Sequence, residues 1–119
     1  MKENKTSGGP ALKSVHLGNL PQDISESHLV SALSELNKAI ADIGYPNAGY
    51  RVWKIQGDGD VEYKYLWEGN WPSRAVYDKI HENDAYKNVG KPNLAMFEKL
   101  MESQKYLRYS EVSKNERIQ

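Results

Sequence analysis

Between Trp67 and His81 the hydrophobic period of the chain changes from that of a strand to that of a helix with almost no loop between. Up to Trp67 the side chains alternate, with Tyr63, Tyr65 and Trp67 on one side and Lys64, Leu66 and Glu68 on the other. From Ser73 onward Val76, Tyr77 and Ile80 recur at intervals of three or four, and Ser73 stands where a helix cap belongs. A strand thus runs straight into an amphipathic helix ending near His81 or Glu82. Both elements must bury an apolar face, which requires a layered fold.

The flanking segments repeat these two periods. Residues 1–11 are polar, contain Ser7-Gly8-Gly9-Pro10, and read as a flexible tail because they cannot bury enough surface to offset their ordering entropy. Leu12 to Leu20 reads as a strand with Val15 and Leu17 on one face and His16 on the other, closed by Pro21. Asp23-Ile24-Ser25-Glu26 has the form of a capping box with Asp23 as the cap. It opens a helix marked by Leu29, Leu33, Leu36, Ile40 and Ile43 and stopped by Gly44 and Pro46. Gly49 to Gln56 and Val61 to Glu68 alternate as two antiparallel strands, and Gly57-Asp58-Gly59-Asp60 predicts a tight hairpin turn between them. After the second helix, Asn83-Asp84 interrupts and a short helical piece runs to Val89. Pro92 then sits in the first turn of a third piece burying Leu94, Phe97, Leu100 and Met101. Tyr106 to Val112 completes the pattern as a strand, and residues 113–119 form a polar tail.

The order strand, helix, strand, strand, helices, strand predicts an α+β, ferredoxin-like β-α-β-β-α-β domain over residues 12–112. It has a four-stranded antiparallel sheet with helices on one face. We assign Val15, Leu17, Trp53, Ile55, Leu66, Leu107 and Tyr109 to the covered face. The other face then carries His16, Tyr50, Val52, Lys54, Tyr63, Tyr65, Trp67 and Arg108. Such an aromatic surface is too apolar to stay wet, so a second copy of the chain is expected to cover it, giving a homodimer whose sheets enclose a barrel-like cavity.

Composition narrows the partners. The 119 residues make one ordinary domain, and 16 basic against 16 acidic side chains leave no electrostatic footprint for nucleic acid or an anionic membrane. An RNA-recognition domain shares the topology, but Val61 to Trp67 lacks its glycine-aromatic signature. No apolar run approaches the roughly 18 residues that span a bilayer, so a soluble domain is expected; the compartment is not indicated. There is no cysteine, and no two of the three histidines stand four apart, so neither a thiolate nor a histidine-pair metal site is read.

Tyr65-Leu66-Trp67-Glu68, then Trp71, then Ser73-Arg74-Ala75 opening a helix, then His81 and Asp84-Ala85-Tyr86, resemble the corresponding run of the dimeric α/β-barrel superfamily. The likeness is greatest to its antibiotic-biosynthesis-monooxygenase type and spans roughly Lys13 to Val112. It implies a dimer that binds a small organic molecule in its cavity. Some members of that type oxidise aromatic polyketides without a bound cofactor, and others degrade haem. His81 lies ten residues beyond Trp71, one residue off the commoner family spacing. On a helix that rotates it by about 100°, toward solvent. The haem-ligating position falls on Asn88, Val89 and Gly90, which offer no imidazole, so no haem or other cofactor is expected.

His16 is therefore the candidate catalytic base, since imidazole titrates near neutrality. Tyr50, Tyr63, Tyr65 and Trp67 are candidate substrate-binding residues that would stack on a flat molecule. Arg108 would hold a carboxylate or phenolate, or pair with an acid such as Glu62. Two readings of function stand: a cofactor-independent, monooxygenase-like enzyme acting on a small aromatic molecule, and a non-catalytic dimeric binding or structural module.

Overall fold

A computed structural model of the chain describes residues 9–57, 61–102 and 104–112. Its elements are β1 (Leu12–Gly18), α1 (Glu26–Ile43), β2 (Gly49–Lys54), β3 (Tyr65–Trp71), α2 (Arg74–Glu82), α3 (Asp84–Gly90), a 3₁₀ turn (Lys91–Asn93), α4 (Leu94–Met101) and β4 (Lys105–Ser110). The strands form one antiparallel sheet in the order β2-β3-β1-β4. This is the ferredoxin-like arrangement expected from the element order.

Local chemistry sets the helix boundaries. Ser25, not Asp23, caps α1, accepting the His28 amide at 3.0 Å. A cap must immediately precede the first helical residue, and that position belongs to Ser25. Asp23 instead accepts both of its 2.9 Å hydrogen bonds from the Lys99 ammonium, tying the loop before α1 to α4. Gly44 closes α1 at φ 124, a left-handed position that suits glycine. Ser73 caps α2 as expected, accepting the Val76 amide at 3.2 Å. Asn83 ends α2 and at once caps α3 through the amides of Ala85 and Tyr86, so the chain turns there without a loop.

The hairpin between β2 and β3 is longer than a tight turn, because β2 ends at Lys54 and β3 begins only at Tyr65. Asn19 accounts for the late start: its amide donates to the Glu62 carbonyl at 2.8 Å and its oxygen accepts the Lys64 amide at 2.9 Å. Those backbone groups are thereby withdrawn from the ladder. The expected turn at residues 58–60 lies outside the described residues, as do residues 1–8 and 113–119 of the expected tails. The third helical piece is also rephased. The 3₁₀ turn at Lys91–Asn93 sets α4 so that Met96 and Leu100 are buried, while Leu94 and Met101 are each 54% exposed.

The main correction concerns the sheet. Alternation divides its residues into the two sets expected, but the helices cover the opposite set. Trp67 packs with Leu29, Leu33, Leu36, Met96 and Leu100 beneath α1 and α4. Trp71 packs with Leu12, Ile40, Val76 and Ile80. Leu12, Ser14 and His16 face the same side, opposite Trp71, Gly69 and Trp67 in the register. Tyr50 and Val52 join them. The set of Val15, Leu17, Trp53, Ile55, Leu66, Leu107 and Tyr109 forms the face without helices, where Trp53 is 46% and Tyr109 52% exposed. The physical reason is that indole and phenol rings need a partner for their polar tips when buried, and on this side the Trp71 N–H donates to Ser14 while the Tyr50 hydroxyl pairs with Tyr86.

Trp71 anchors this arrangement. Its indole N–H donates to the Ser14 hydroxyl at 3.2 Å, and its ring lies across Gly69, where an added Cβ would sit 2.6 Å from both Ser14 Oγ and the indole Cζ2. Asn37 of α1 adds a second clamp, accepting the Tyr50 amide at 2.7 Å and donating to the Tyr50 carbonyl at 2.9 Å. Gly69→Ala should therefore destabilise the fold by about 1–3 kcal/mol through overpacking. Urea unfolding followed by tryptophan fluorescence measures this. An unshifted midpoint would show that the indole does not need the space over Gly69.

Candidate functional site

A cavity of about 460 Å³ opens between the sheet and the helices. Ser14, His16, Tyr50, Trp67 and Tyr106 form its floor, and Tyr77, His81 and Tyr86 one wall. Leucines of α1 and the apolar side of α4 close the rest. Of the described residues that line it, none carries a formal charge. The volume suits a small organic molecule.

His81 reaches this cavity from the last turn of α2. Its Nδ1 lies 2.8 Å from the Tyr77 carbonyl oxygen, which can only accept, so the hydrogen sits on Nδ1 and the lone pair on Nε2. The imidazole stacks on the Tyr77 ring at 4.0 Å and meets the Trp71 indole edge-on at 5.0 Å. Burial pushes its pKa below the usual value, outweighing the Tyr77 carbonyl and the nearby Asp78, which act in the other direction.

Its neighbour Tyr86 belongs to a hydroxyl pair. The Tyr86 oxygen lies 2.6 Å from the Tyr50 hydroxyl and 3.5 Å from His81 Nε2. With Nε2 offering only a lone pair, Tyr86 can donate toward it while accepting from Tyr50. In that arrangement the donors run from Tyr50 through Tyr86 to His81. Burial raises both phenols, Tyr86 to about 12, so both are protonated donors near neutrality.

His16 stands on the adjacent side of the cavity, parallel to the Trp67 ring at 5.7 Å and tilted against Tyr106 at 4.6 Å. Its Nδ1 donates to Gln104 Oε1 at 3.0 Å, which again leaves the lone pair on Nε2. Burial lowers this histidine as well, against the raising effect of Gln104. Burial, then a hydrogen bond to Tyr77, pushes Tyr106 up to about 12.

Of the residues singled out in the sequence, His16, Tyr50 and Trp67 meet in this cavity, beneath the helices rather than on the open face. Tyr65 does not line it; its hydroxyl donates to Glu26 at 2.8 Å at the exposed edge of the fold. Tyr63 lies in the β2–β3 connection, and Arg108 is exposed, its guanidinium 5.8 Å over the Tyr106 ring. Among the described residues Arg108 makes no ion pair with Glu62. Tyr77, Tyr86, Tyr106 and Ser14 were not anticipated as site residues, and His81 faces the cavity instead of solvent. A signal for His81 existed. It stands four residues after Tyr77, which the helical stripe had already marked as inward-facing.

A ferredoxin-like sheet with an aromatic cavity under its helices is the class that the fold and site define. No protein-family model matches the chain, and no curated protein matches it. The same fold recurs in solved structures. A hydroxynitrile lyase from Passiflora edulis superposes with TM-score 0.61 at 12% identity, covering 90% of this chain and 98% of that one. A dimeric ferredoxin-like protein of unknown function from Thermobifida fusca gives TM-score 0.58 at 11% identity, covering 93% and 100%. The cofactor-independent oxygenase SnoaB from Streptomyces nogalater, as a point mutant, gives 0.56 at 8%, covering 91% and 97%. At these identities the likeness is one of fold.

The two lowered histidines make stability depend on pH. Each binds its proton less readily folded than unfolded, so their contribution is full above the unfolded value near 6.5 and falls as pH drops through that value toward the folded one. Asp23, held low by Lys99, and Glu26, held low by Tyr65, add a loss of the same sign only at more acidic pH. Urea midpoints should therefore decline from about pH 7.5 to about pH 5.5. In a His16→Gln/His81→Gln variant that slope should flatten, and an equal slope would refute the assignment.

Proposed function

We propose that the cavity holds a small, uncharged, flat organic molecule and that the protein acts on it by proton transfer without a bound cofactor. The observation that carries this reading is the pair of imidazoles, His16 and His81, each with its hydrogen on Nδ1 and its Nε2 lone pair available, that of His81 facing Tyr86 across 3.5 Å. Trp67 and Tyr50 offer aromatic surface for a planar ring, and among the described residues no charged lining residue favours an ionic one. Removal of a proton from an activated methylene or a quinol leaves an anion electron-rich enough to reduce dioxygen. For a methylene the balance is CH₂ + O₂ → C=O + H₂O. That two proteins sharing the fold are named as a cofactor-independent oxygenase and a hydroxynitrile lyase supports an enzymatic role.

Oxygen uptake with a panel of quinols and anthrones tests this. His16→Gln and His81→Gln should each be compared with the native protein, and loss of the acting base should lower kcat by about 10²–10⁴. Ligand affinity, read from tryptophan quenching, should change only a few-fold. Binding without turnover across the panel would favour the non-catalytic binding module, and absence of quenching by any of these compounds would overturn the reading.

We further infer that the chain works as a homodimer in which a second copy covers the open sheet face. Trp53, Leu66, Leu107 and Tyr109 make that face apolar, and an apolar sheet face without a helix layer calls for a partner. The Thermobifida fusca protein, described as dimeric, supports this. Light scattering should give twice 13.6 kDa, and Leu66→Glu at the centre of the face should give a folded monomer. A native protein that scatters as a monomer at micromolar concentration would refute it.

A further inference from the structure

We propose that His81 and Tyr86 are the reacting pair of the cavity and that they select a ligand bearing a phenolic or enolic hydroxyl, with Tyr50 as the positioning residue behind Tyr86. This rests on the reading of the cavity as a site for an uncharged aromatic molecule and adds which oxygen chemistry it recognises.

The geometry points to this pair rather than to His16. Tyr86 Oη and His81 Nε2 are 3.5 Å apart, too far for a good O–H···N bond, so the Tyr86 hydrogen is weakly committed. Two atoms at that separation can both contact a single oxygen at a hydrogen-bonding distance of about 2.8 Å. Such an oxygen would accept from the Tyr86 hydroxyl and donate to Nε2. A hydroxyl satisfies both demands, whereas an ether or carbonyl satisfies only the first. The 2.6 Å contact lets Tyr50 donate to the Tyr86 oxygen, which leaves the Tyr86 hydrogen for the ligand. His16, by contrast, has no hydroxyl donor hydrogen-bonded to its Nε2 among the described residues.

In the reacting step the ligand O–H bond breaks and an Nε2–H bond forms on His81, with the electron pair remaining on the ligand oxygen. The negative charge then accepts the Tyr86 hydrogen bond, which strengthens because its acceptor is now ionised. No oxidant or reductant is consumed. The groups facing the new charge are Tyr86, Tyr50 and Tyr77, with His16 and Tyr106 on the adjacent side of the cavity and Asp78 near His81 on α2. Tyr50, Tyr86 and Tyr106 stay protonated and His16 is neutral. Stabilisation of the anion therefore falls mainly to Tyr86 and the newly formed imidazolium.

The test uses 4-nitrophenol, whose anion absorbs visible light, and nitrobenzene, which has the same ring without the hydroxyl. Binding of both to the native protein and to Tyr86→Phe, Tyr50→Phe and His81→Gln is followed by tryptophan quenching, with far-UV circular dichroism confirming the fold of each variant. The native protein should lower the apparent pKa of bound nitrophenol. Tyr86→Phe should reverse most of that shift, weakening anion binding about tenfold per unit of pKa, while nitrobenzene affinity stays within two- to threefold. Tyr50→Phe should give a smaller change of the same sign. An unshifted nitrophenol pKa in the native protein, with nitrobenzene still bound, overturns the proposal and leaves the cavity reading standing. A shift retained in Tyr86→Phe also overturns it. If neither compound binds, the cavity reading fails and the proposal with it.

Discussion

The Trp71 indole, turned back across Gly69 and hydrogen-bonded to Ser14, is the contact on which the other parts of this molecule depend. It closes β3 at the point where the chain leaves the sheet for α2, and the same ring meets Tyr50, Tyr77 and His81 edge-on. One buried side chain thus sets the distance between helix layer and sheet and orients three of the cavity's polar groups. The absence of a side chain at residue 69 permits it. A Cβ there would displace either the indole or the hydroxyl that satisfies its N–H, and an unsatisfied buried N–H costs more than the hydrogen bond itself contributes.

Element order, the Ser73 cap and the Gly44 stop were legible because they depend on short-range chemistry, whereas the α1 cap falls on Ser25 rather than the expected Asp23. Ser73 before Val76, Gly44 after Ile43, and the period-two run through Trp67 each report on a few neighbouring residues. The division of the sheet into two side-chain sets was legible for the same reason. Which set the helices cover was not, since alternation has a period but no sign: Val15 and Leu17 look as core-like as Trp67 and Trp71. The deciding quantity is whether the rings' polar tips meet partners under the helix layer. That is a property of assembled elements.

The site divides along the same line. His16, Tyr50 and Trp67 share a sheet face, and strand alternation brings them together wherever that face points. Tyr86 and His81 come from two short helices joined at Asn83, and their meeting depends on the angle of that joint. Asn83 fixes the angle by accepting two α3 amides while its own amide ends α2. Helical spacing counted from Trp71 sent His81 outward because it ignored the local frame. Counted from Tyr77, one turn earlier, it faces inward.

Burial acts on five titratable groups of the cavity in the direction of neutrality, lowering the imidazoles of His16 and His81 and raising Tyr50, Tyr86 and Tyr106. The common cause is desolvation, which penalises whichever form is charged. Such a cavity has proton donors and proton acceptors side by side and, among the described residues, no charged lining side chain, so a charge created there would meet dipoles already aligned. Trp71 supplies part of that alignment through Tyr50 and His81, and the backbone carbonyl of Tyr77 supplies the rest by fixing the tautomer. The aromatic strand that alternation alone assigned to the open face thus becomes the floor of the cavity. The face opposite, with Trp53 and Tyr109 exposed, is not covered by the described helices, so cavity and open face lie on opposite sides of one sheet.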